Sequence, residues 1–424
     1  MISNSYSLDN LEIKLPPIKN YTCDNGVQIC CLNPVKQEIF HAIWEFDFCK
    51  DEIAKIIPNA YLLHKVIAKL LGKKTKQSSG KDISLFFDEK GADISIKSTS
   101  QTLYIRLSCL SKYWDECVHK VHEILSEAVI NEKIWRQGKK KILKKIEQNA
   151  FDTEILADQM LLSSLSSQNT YWNTFFTKEN LQSIHEKDLQ NAYTFITQAQ
   201  FLRIYIFGNW EEKDVLILKE KFGKNPNGFP IKVEGVFPLS TIQSSIQKVD
   251  FMGGQYSLRW GKLFLAPKDK DYAKALMATQ VLGGYFGSRL MQSLREKEGL
   301  TYGAYAYLVP FSNFSIFVIS TEISKENLEQ AQSIIEQEII NLQEKLINEE
   351  EWQVVKNNLL GDLLSSLDGP LNLINRMRSL DSRKLRILDF EKQIENIQKM
   401  QREELHYFMK EHFSPDSFIK VWKG

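Results

Sequence analysis

The same order of predicted elements occurs twice along this chain of 424 residues. Each half gives a helix that ends at glycine, a second helical segment, two strands and then a long helix. Two matching segments set the register between the halves. They are Ile-Asn-Glu-x-x-Trp at 130–135 and at 347–352, and each opens a further helix. A duplication of this kind predicts two domains of the same architecture.

The strands of each half are predicted to form mainly antiparallel sheets. Asp24-Asn25-Gly26 lies between two extended segments and is typical of a tight hairpin turn. Later strands follow one another as neighbours and not as repeated strand-helix-strand units, which favours the α+β class over a parallel sheet. The density of proline and glycine predicts a linker at 223–245, between an N-terminal domain at 1–222 and a C-terminal domain at 246–424.

Composition excludes several classes of partner and location. Lysine plus arginine number 54 against 53 acidic residues, so the formal net charge of +1 gives no general attraction to nucleic acid or to an anionic membrane. The six cysteines show no C-x-x-C spacing, and we expect reduced, buried thiols. No basic segment followed by an apolar run resembles a signal peptide, so the sequence predicts a cytoplasmic protein.

One segment of the second half carries a specific pair of hydrogen-bond donors. Arg295 lies late in an amphipathic helical run that Gly299 is predicted to end in a left-handed cap. Tyr302 follows seven residues later in a predicted strand over 301–307. Neither side chain is a good general base at neutral pH, because arginine stays protonated and tyrosine titrates near pH ~10. Such a pair is suited to holding a carbonyl oxygen or a developing oxyanion, although a surface arginine and a tyrosine at the edge of the core would give the same pattern.

The segment from Leu282 to Tyr307 resembles the C-terminal half of the pitrilysin/insulinase-type zinc peptidases. The shared features are a glycine-rich lead-in at Gly283, Gly284 and Gly287, then Leu-Arg, then Tyr-Gly at the same interval. The resemblance implies that Arg295 and Tyr302 bind substrate and stabilise the transition state. It also implies that this pair acts opposite a zinc site carried by another domain, and that the two domains of the chain hinge into a clamshell.

The zinc motif of that family is degenerate in this chain. The family holds its metal with His-x-x-Glu-His and a distal Glu, and alignment of the following segment places Lys65, Ala68 and Lys69 at the first three positions and Lys145 at the last. Starting one residue earlier, at His64, leaves apolar residues at the other two positions. Because a protonated lysine has no lone pair to give a metal, we expect no zinc and no other cofactor on this chain.

The other histidines give only weak metal candidates. His119 and His122 lie three residues apart on one predicted helix, and His406 and His412 lie six apart and do not share a helix face well. An amphipathic surface helix explains the first pair without a metal. Gly283, Gly284 and Gly287 lack the Lys-Ser/Thr of a phosphate-binding loop.

A chain with the Arg/Tyr pair and without the zinc motif is consistent with a division of labour. The resemblance implies a non-catalytic, substrate-binding subunit of a heteromeric zinc peptidase, with the zinc and the intact motif on a homologous partner and a peptide as substrate. An enzymatically inert structural scaffold of a larger complex is the alternative. A self-sufficient peptidase with an unusual metal site is a third.

Overall fold

The computed structural model describes residues 17–32, 37–47, 60–99, 102–165, 175–198, 201–224, 246–249 and 254–424. Most of the predicted linker and Cys49 lie outside these residues. The other five cysteines are buried free thiols, as the sequence predicts.

The first half forms a six-stranded sheet in the order β1-β2-β6-β3-β5-β4. All neighbouring pairs are antiparallel except β2 with β6, which is parallel. The predicted Asp-Asn-Gly turn joins β1 to β2, with Gly26 at φ 92°. The strands are β1 Ile18–Thr22, β2 Gln28–Leu32, β3 Ile39–Asp47, β4 Asp93–Ser98, β5 Thr102–Leu110 and β6 Leu202–Phe207.

Eight α-helices belong to this half among the described residues. The first ends just before Gly72, whose φ of 74° suits the predicted glycine stop. The helices are α1 Ala60–Leu70, α2 Gly80–Glu89, α3 Trp114–Ser126, α4 Glu132–Asn149, α5 Thr153–Leu165, α6 Lys178–Gln182, α7 Glu186–Ile196 and α8 Glu212–Phe222.

The second half repeats this plan with a five-stranded sheet in the order β7-β11-β8-β10-β9. Its one parallel pair among the described residues, β7 with β11, occupies the place of β2 with β6. The strands are β7 Ile246–Val249, β8 Gln255–Phe264, β9 Ala304–Pro310, β10 Ser315–Ser324 and β11 Ile419–Lys423. The α-helices are α9 Tyr272–Thr279, α10 Leu328–Glu344, α11 Glu349–Ser365, α12 Pro370–Ser382, α13 Ile387–Lys399 and α14 Arg402–His412.

The two matching Ile-Asn-Glu-x-x-Trp segments open equivalent helices. Asn131 caps α4 by accepting a hydrogen bond from the Ile134 amide, and Asn348 caps α11 in the same way through the Glu351 amide. Trp135 and Trp352, one turn further, are both buried. The fold is therefore α+β with two similar domains, as the duplication predicts.

Each half places one helix on the sheet of the other half. Helix α5 lies on the second sheet, where Leu161 packs against Gly261 and Asp158 accepts a hydrogen bond of 2.8 Å from Arg259. Helix α12 lies on the first sheet, where Arg378 forms two hydrogen bonds of 2.7 and 3.0 Å with Glu45. This exchange gives the two halves a shared, partly charged interface.

Candidate substrate-binding site and degenerate zinc site

Arg295 lies on a π-helical turn, Met291–Lys297, whose inner face is buried through Met291 and Leu294. Gly299, at φ 62°, ends this turn, and its amide donates to the Arg295 carbonyl oxygen at 3.1 Å. The predicted left-handed cap is therefore present. The Arg295 guanidinium lies over the ring of Phe286, 4.5 Å from its centroid. This contact orients the side chain without neutralising its charge.

Tyr302 does not lie on a strand, contrary to the sequence expectation. Residues 301–303 form a bend, because the Thr301 hydroxyl accepts from the Gly303 amide, and β9 begins only at Ala304. Thr321 of β10 fixes this bend by donating to the Gly303 carbonyl oxygen at 2.9 Å. The Tyr302 side chain is 93% exposed, and its hydroxyl has no hydrogen-bond partner among the described residues.

Two further tyrosines stand on the outward face of β9, the edge strand of the second sheet. Tyr305 and Tyr307 are 54% and 37% exposed, whereas Ala304 and Ala306, which alternate with them along the strand, are buried in the core. Tyr307 pairs across the sheet with Val318, which packs in the same cluster as residues of α5. Burial and the nearby Asp158 carboxylate raise the pKa of Tyr307. Tyr307 therefore borders the helix that comes from the other half.

The glycine-rich lead-in allows a close approach between a helix and a strand. A Cβ on Gly283 would lie 2.2 Å from the Ala306 backbone nitrogen, so the π-helical turn Gln280–Gly284 packs directly on β9. A Cβ on Gly284 would meet the Gln280 side chain, and one on Gly287 would meet the Tyr285 ring. Packing explains Gly283 without a substrate.

Gly283→Ala is expected to lower the free energy of unfolding by about 1–3 kcal/mol, because main-chain atoms of β9 cannot swing aside to admit the new methyl group. Urea unfolding followed by tryptophan fluorescence measures the change. Gly361 lies inside α11 with no heavy atom within 4 Å of a built Cβ, so Gly361→Ala is the matched control. It should raise stability by about 0.5–1 kcal/mol. Equal effects of the two substitutions would contradict the close approach.

The degenerate zinc positions are on helices α1 and α4. Lys65 is half-buried, Ala68 is buried and Lys69 is exposed, all on α1. Burial, together with the neighbouring Lys69 charge, lowers the pKa of Lys65 to about 8. Lys145 is exposed on α4.

Helices α1 and α4 pack through Leu70 and Gly138, where a Cβ on the glycine would lie 2.5 Å from a Leu70 methyl carbon. Near this contact, Ala68, Lys69 and Lys141 line one cavity. Lys145 lies one turn beyond Lys141 on the same face of α4. The predicted distal position is therefore on the helix that packs against α1, but it is Lys141, and not Lys145, that lines the cavity with Lys69.

These residues do not fit a zinc ion. Amine and methyl groups replace the two imidazoles and the carboxylates that a catalytic zinc needs. His64, the imidazole nearest in sequence, is fully buried, and its Nε2 lies 3.0 Å from the Thr99 carbonyl oxygen. Among the described residues, no three His, Cys, Asp or Glu side chains cluster as a metal site would require.

The weaker histidine candidates are occupied in other ways. His119 pairs with Asp115 at 3.2 Å on the exposed face of α3. His122 packs edge-on against Phe222, and burial lowers its pKa. His406 Nδ1 lies 3.3 Å from the Leu342 carbonyl oxygen, and His412 packs on Phe408.

One residue of the Arg/Tyr region was not predicted from the sequence. Phe286 supports the Arg295 guanidinium although its own ring is 61% exposed. The sequence signal that could have indicated it is the pair of aromatic residues between two glycines, Gly284-Tyr-Phe-Gly287, shortly before Arg295.

Comparison with known proteins finds relatives among M16 peptidase homologues. The family model described as the peptidase M16 inactive domain matches residues 183–359, which include Arg295 and Tyr302. A Helicobacter pylori protein described as the non-peptidase homolog YmxG is 24% identical over 356 residues, covering 82% of this chain and 81% of that protein. A Bacillus subtilis protein described as an uncharacterized zinc protease, YmxG, is 22% identical over 364 residues, covering 85% and 87%.

Solved structures share the whole fold. A Pseudomonas fluorescens structure described as a peptidase M16 inactive domain has a TM-score of 0.84 at 19% identity and covers 96% of this chain and 98% of that one. A Helicobacter pylori structure described as a protease has a TM-score of 0.82 at 14% identity and covers 97% and 100%.

The chain thus has two similar α+β domains, and the residues at the metal positions predicted from the sequence are not metal ligands. Residues 183–359 match the model of the peptidase M16 inactive domain, and the resemblance of the chain to the pitrilysin/insulinase-type peptidases is confirmed. Within the described ranges, no helix is both long enough and apolar enough to cross a bilayer.

Proposed function

We propose that this chain is the substrate-binding subunit of a heteromeric zinc peptidase and does not hydrolyse peptides alone. A homologous partner with an intact zinc motif would carry the metal. Arg295 and Tyr302 would donate hydrogen bonds to the carbonyl oxygen of the peptide bond that the partner cleaves. In this proposal the two chains form a heterodimer in the cytoplasm and act on a peptide substrate. Neither a nucleic acid nor a membrane takes part.

The main support is that the two donors are available to a ligand. Tyr302 is almost fully exposed, and the half-buried Arg295 places its guanidinium over the exposed ring of Phe286. Two specific hydrogen bonds fix the positions of Arg295 and Tyr302. The Gly299 amide donates to the Arg295 carbonyl oxygen, and the Thr321 hydroxyl donates to the Gly303 carbonyl oxygen in the bend. A donor already positioned for an oxyanion stabilises the transition state more than one that must reorganise.

Co-expression with a homologue that contains His-x-x-Glu-His tests the proposal. We expect the two chains to co-purify, and a quenched fluorescent peptide library to be cleaved by the pair and by neither chain alone. A partner whose motif Glu is replaced by Gln serves as the control, because the pair should then assemble without activity. Co-purification without any gain in hydrolysis over the partner alone would contradict the proposal.

An inert structural scaffold is the second candidate function. It is favoured by the Helicobacter pylori relative that is described as a non-peptidase homolog. A scaffold needs the exchanged helices and the core but makes no use of the Arg295 and Tyr302 donors. Substitution of these two side chains therefore separates the two functions.

A further inference from the structure

A cavity of about 620 Å³ lies beside the degenerate zinc positions, between α1, α2, α4 and the edge strand β4. Its inner wall is aliphatic and includes the buried side chains of Ile83, Ile124, Ile134 and Ile142. This volume is within the usual range of about 300–1,000 Å³ for small-molecule sites.

The rim of the cavity is strongly cationic. Lys69, Lys73, Lys97 and Lys141 all line it and are exposed. None of the four forms an ion pair with an acidic side chain among the described residues, and no Asp or Glu from those residues lines the cavity. Like charges held together without counter-ions repel one another, and a bound anion relieves that repulsion.

We propose that this cavity binds a small amphipathic anion, with an apolar chain against the isoleucines and a carboxylate or phosphate head at the four lysines. The site is separate from the Arg295 region and makes no use of zinc or of a partner chain. Lys69 and Ala68 contribute to it directly. The positions that no longer suit a cation would thus belong to a site for an anion.

Titration calorimetry with the whole chain tests this binding, with decanoate, octanoate, decanol and acetate as probes. We expect decanoate to bind saturably at one site per chain. It should bind more tightly than octanoate, by about fourfold for each added methylene that is fully buried. Decanol lacks the charge and acetate lacks the chain, so both should bind at least about tenfold more weakly than decanoate. Equal affinity for acetate and decanoate, or for decanol and decanoate, would overturn the proposal.

The double variant Lys69→Glu/Lys141→Glu should weaken decanoate binding by about tenfold or more, because two of the four positive charges at the rim are reversed. Lys140→Glu/Lys144→Glu is the matched control. These two lysines are exposed on α4 but do not line the cavity, so decanoate affinity should change much less. An equal loss in both double variants would show a general charge effect and overturn the assigned site.

Ile94→Trp provides an independent test of the apolar chain. Ile94 is a half-buried cavity residue on β4, and an indole there should occupy space that the chain of the ligand needs. Decanoate should lose its advantage over octanoate in this variant while the circular dichroism spectrum stays that of the parent. An unchanged preference for the longer chain in the folded variant would contradict the proposed position. None of these outcomes depends on peptide hydrolysis by a pair of chains.

Discussion

Arg295→Ala is expected to reduce the turnover of the reconstituted peptidase pair by about 10²–10³-fold, which corresponds to roughly 2.7–4 kcal/mol of transition-state stabilisation. The reason is that the guanidinium donates to the oxygen on which charge develops during attack on the peptide bond. Steady-state hydrolysis of one peptide by the pair, at saturating substrate, measures the loss. Tyr302→Phe should reduce kcat in the same way, since only the phenolic hydroxyl is removed.

Assembly and folding should be unaffected by these two substitutions. Arg295 forms no ion pair among the described residues, and the Tyr302 ring is 93% exposed, so neither supports the core. Lys297→Ala is the matched control, because this exposed residue of the same π-helical turn lies outside the proposed site. If Arg295→Ala and Tyr302→Phe both leave kcat and KM at the parent values while the pair hydrolyses peptide, the scaffold function is favoured.

Arg378→Met is expected to destabilise the chain by about 3–5 kcal/mol. The substitution leaves the Glu45 carboxylate, which is 5% exposed, without the two charge-assisted hydrogen bonds that hold α12 on the first sheet. Urea unfolding at neutral pH measures the change, and the loss should affect the transition that reports on the interface between the halves.

Two further variants separate the cost of an unpaired charge from other effects of the substitution. The double variant Glu45→Met/Arg378→Met removes both charges and should recover most of the stability, because well-packed apolar residues replace a buried ion pair at little cost. Arg136→Met breaks an exposed pair of 3.8 Å with Glu132 and should leave the unfolding midpoint almost unchanged. A single Arg378→Met variant as stable as the parent would show that the Arg378–Glu45 ion pair does not stabilise this interface.

The duplicated order of elements could be predicted because each turn and helix cap depends only on residues close to it in the sequence. Gly72 and Gly299 take positive φ where the sequence predicts helix ends, and Gly26 does so in the predicted hairpin. The two Asn caps and the two buried tryptophans behave alike because each contacts its own half. Local chemistry of this kind needs no knowledge of the rest of the fold.

The exchange of α5 and α12 between the sheets could not be predicted in the same way. Leu161, Asp158 and Arg378 have partners that lie about 100 or more residues away along the chain. Periodicity identifies a helix and its apolar face, but it does not indicate which sheet covers that face.

The prediction that Tyr302 lies on a strand was wrong for a related reason. Alternating residues from Thr301 onward favour a strand, yet the hydroxyl of Thr301 bonds within its own segment and the Thr321 hydroxyl on β10 fixes the resulting bend. The bend moves Tyr302 off the sheet and leaves it exposed. The roles of Arg295 and Tyr302 in substrate binding stay a prediction.

The zinc content of the chain purified alone, without an affinity tag, tests the central claim most directly. After dialysis against zinc and then against metal-free buffer, atomic emission should find well under one equivalent per chain, because Lys65, Ala68, Lys69 and Lys145 provide no imidazole or carboxylate for the metal. One firmly held equivalent that is released only by a chelator would contradict the account.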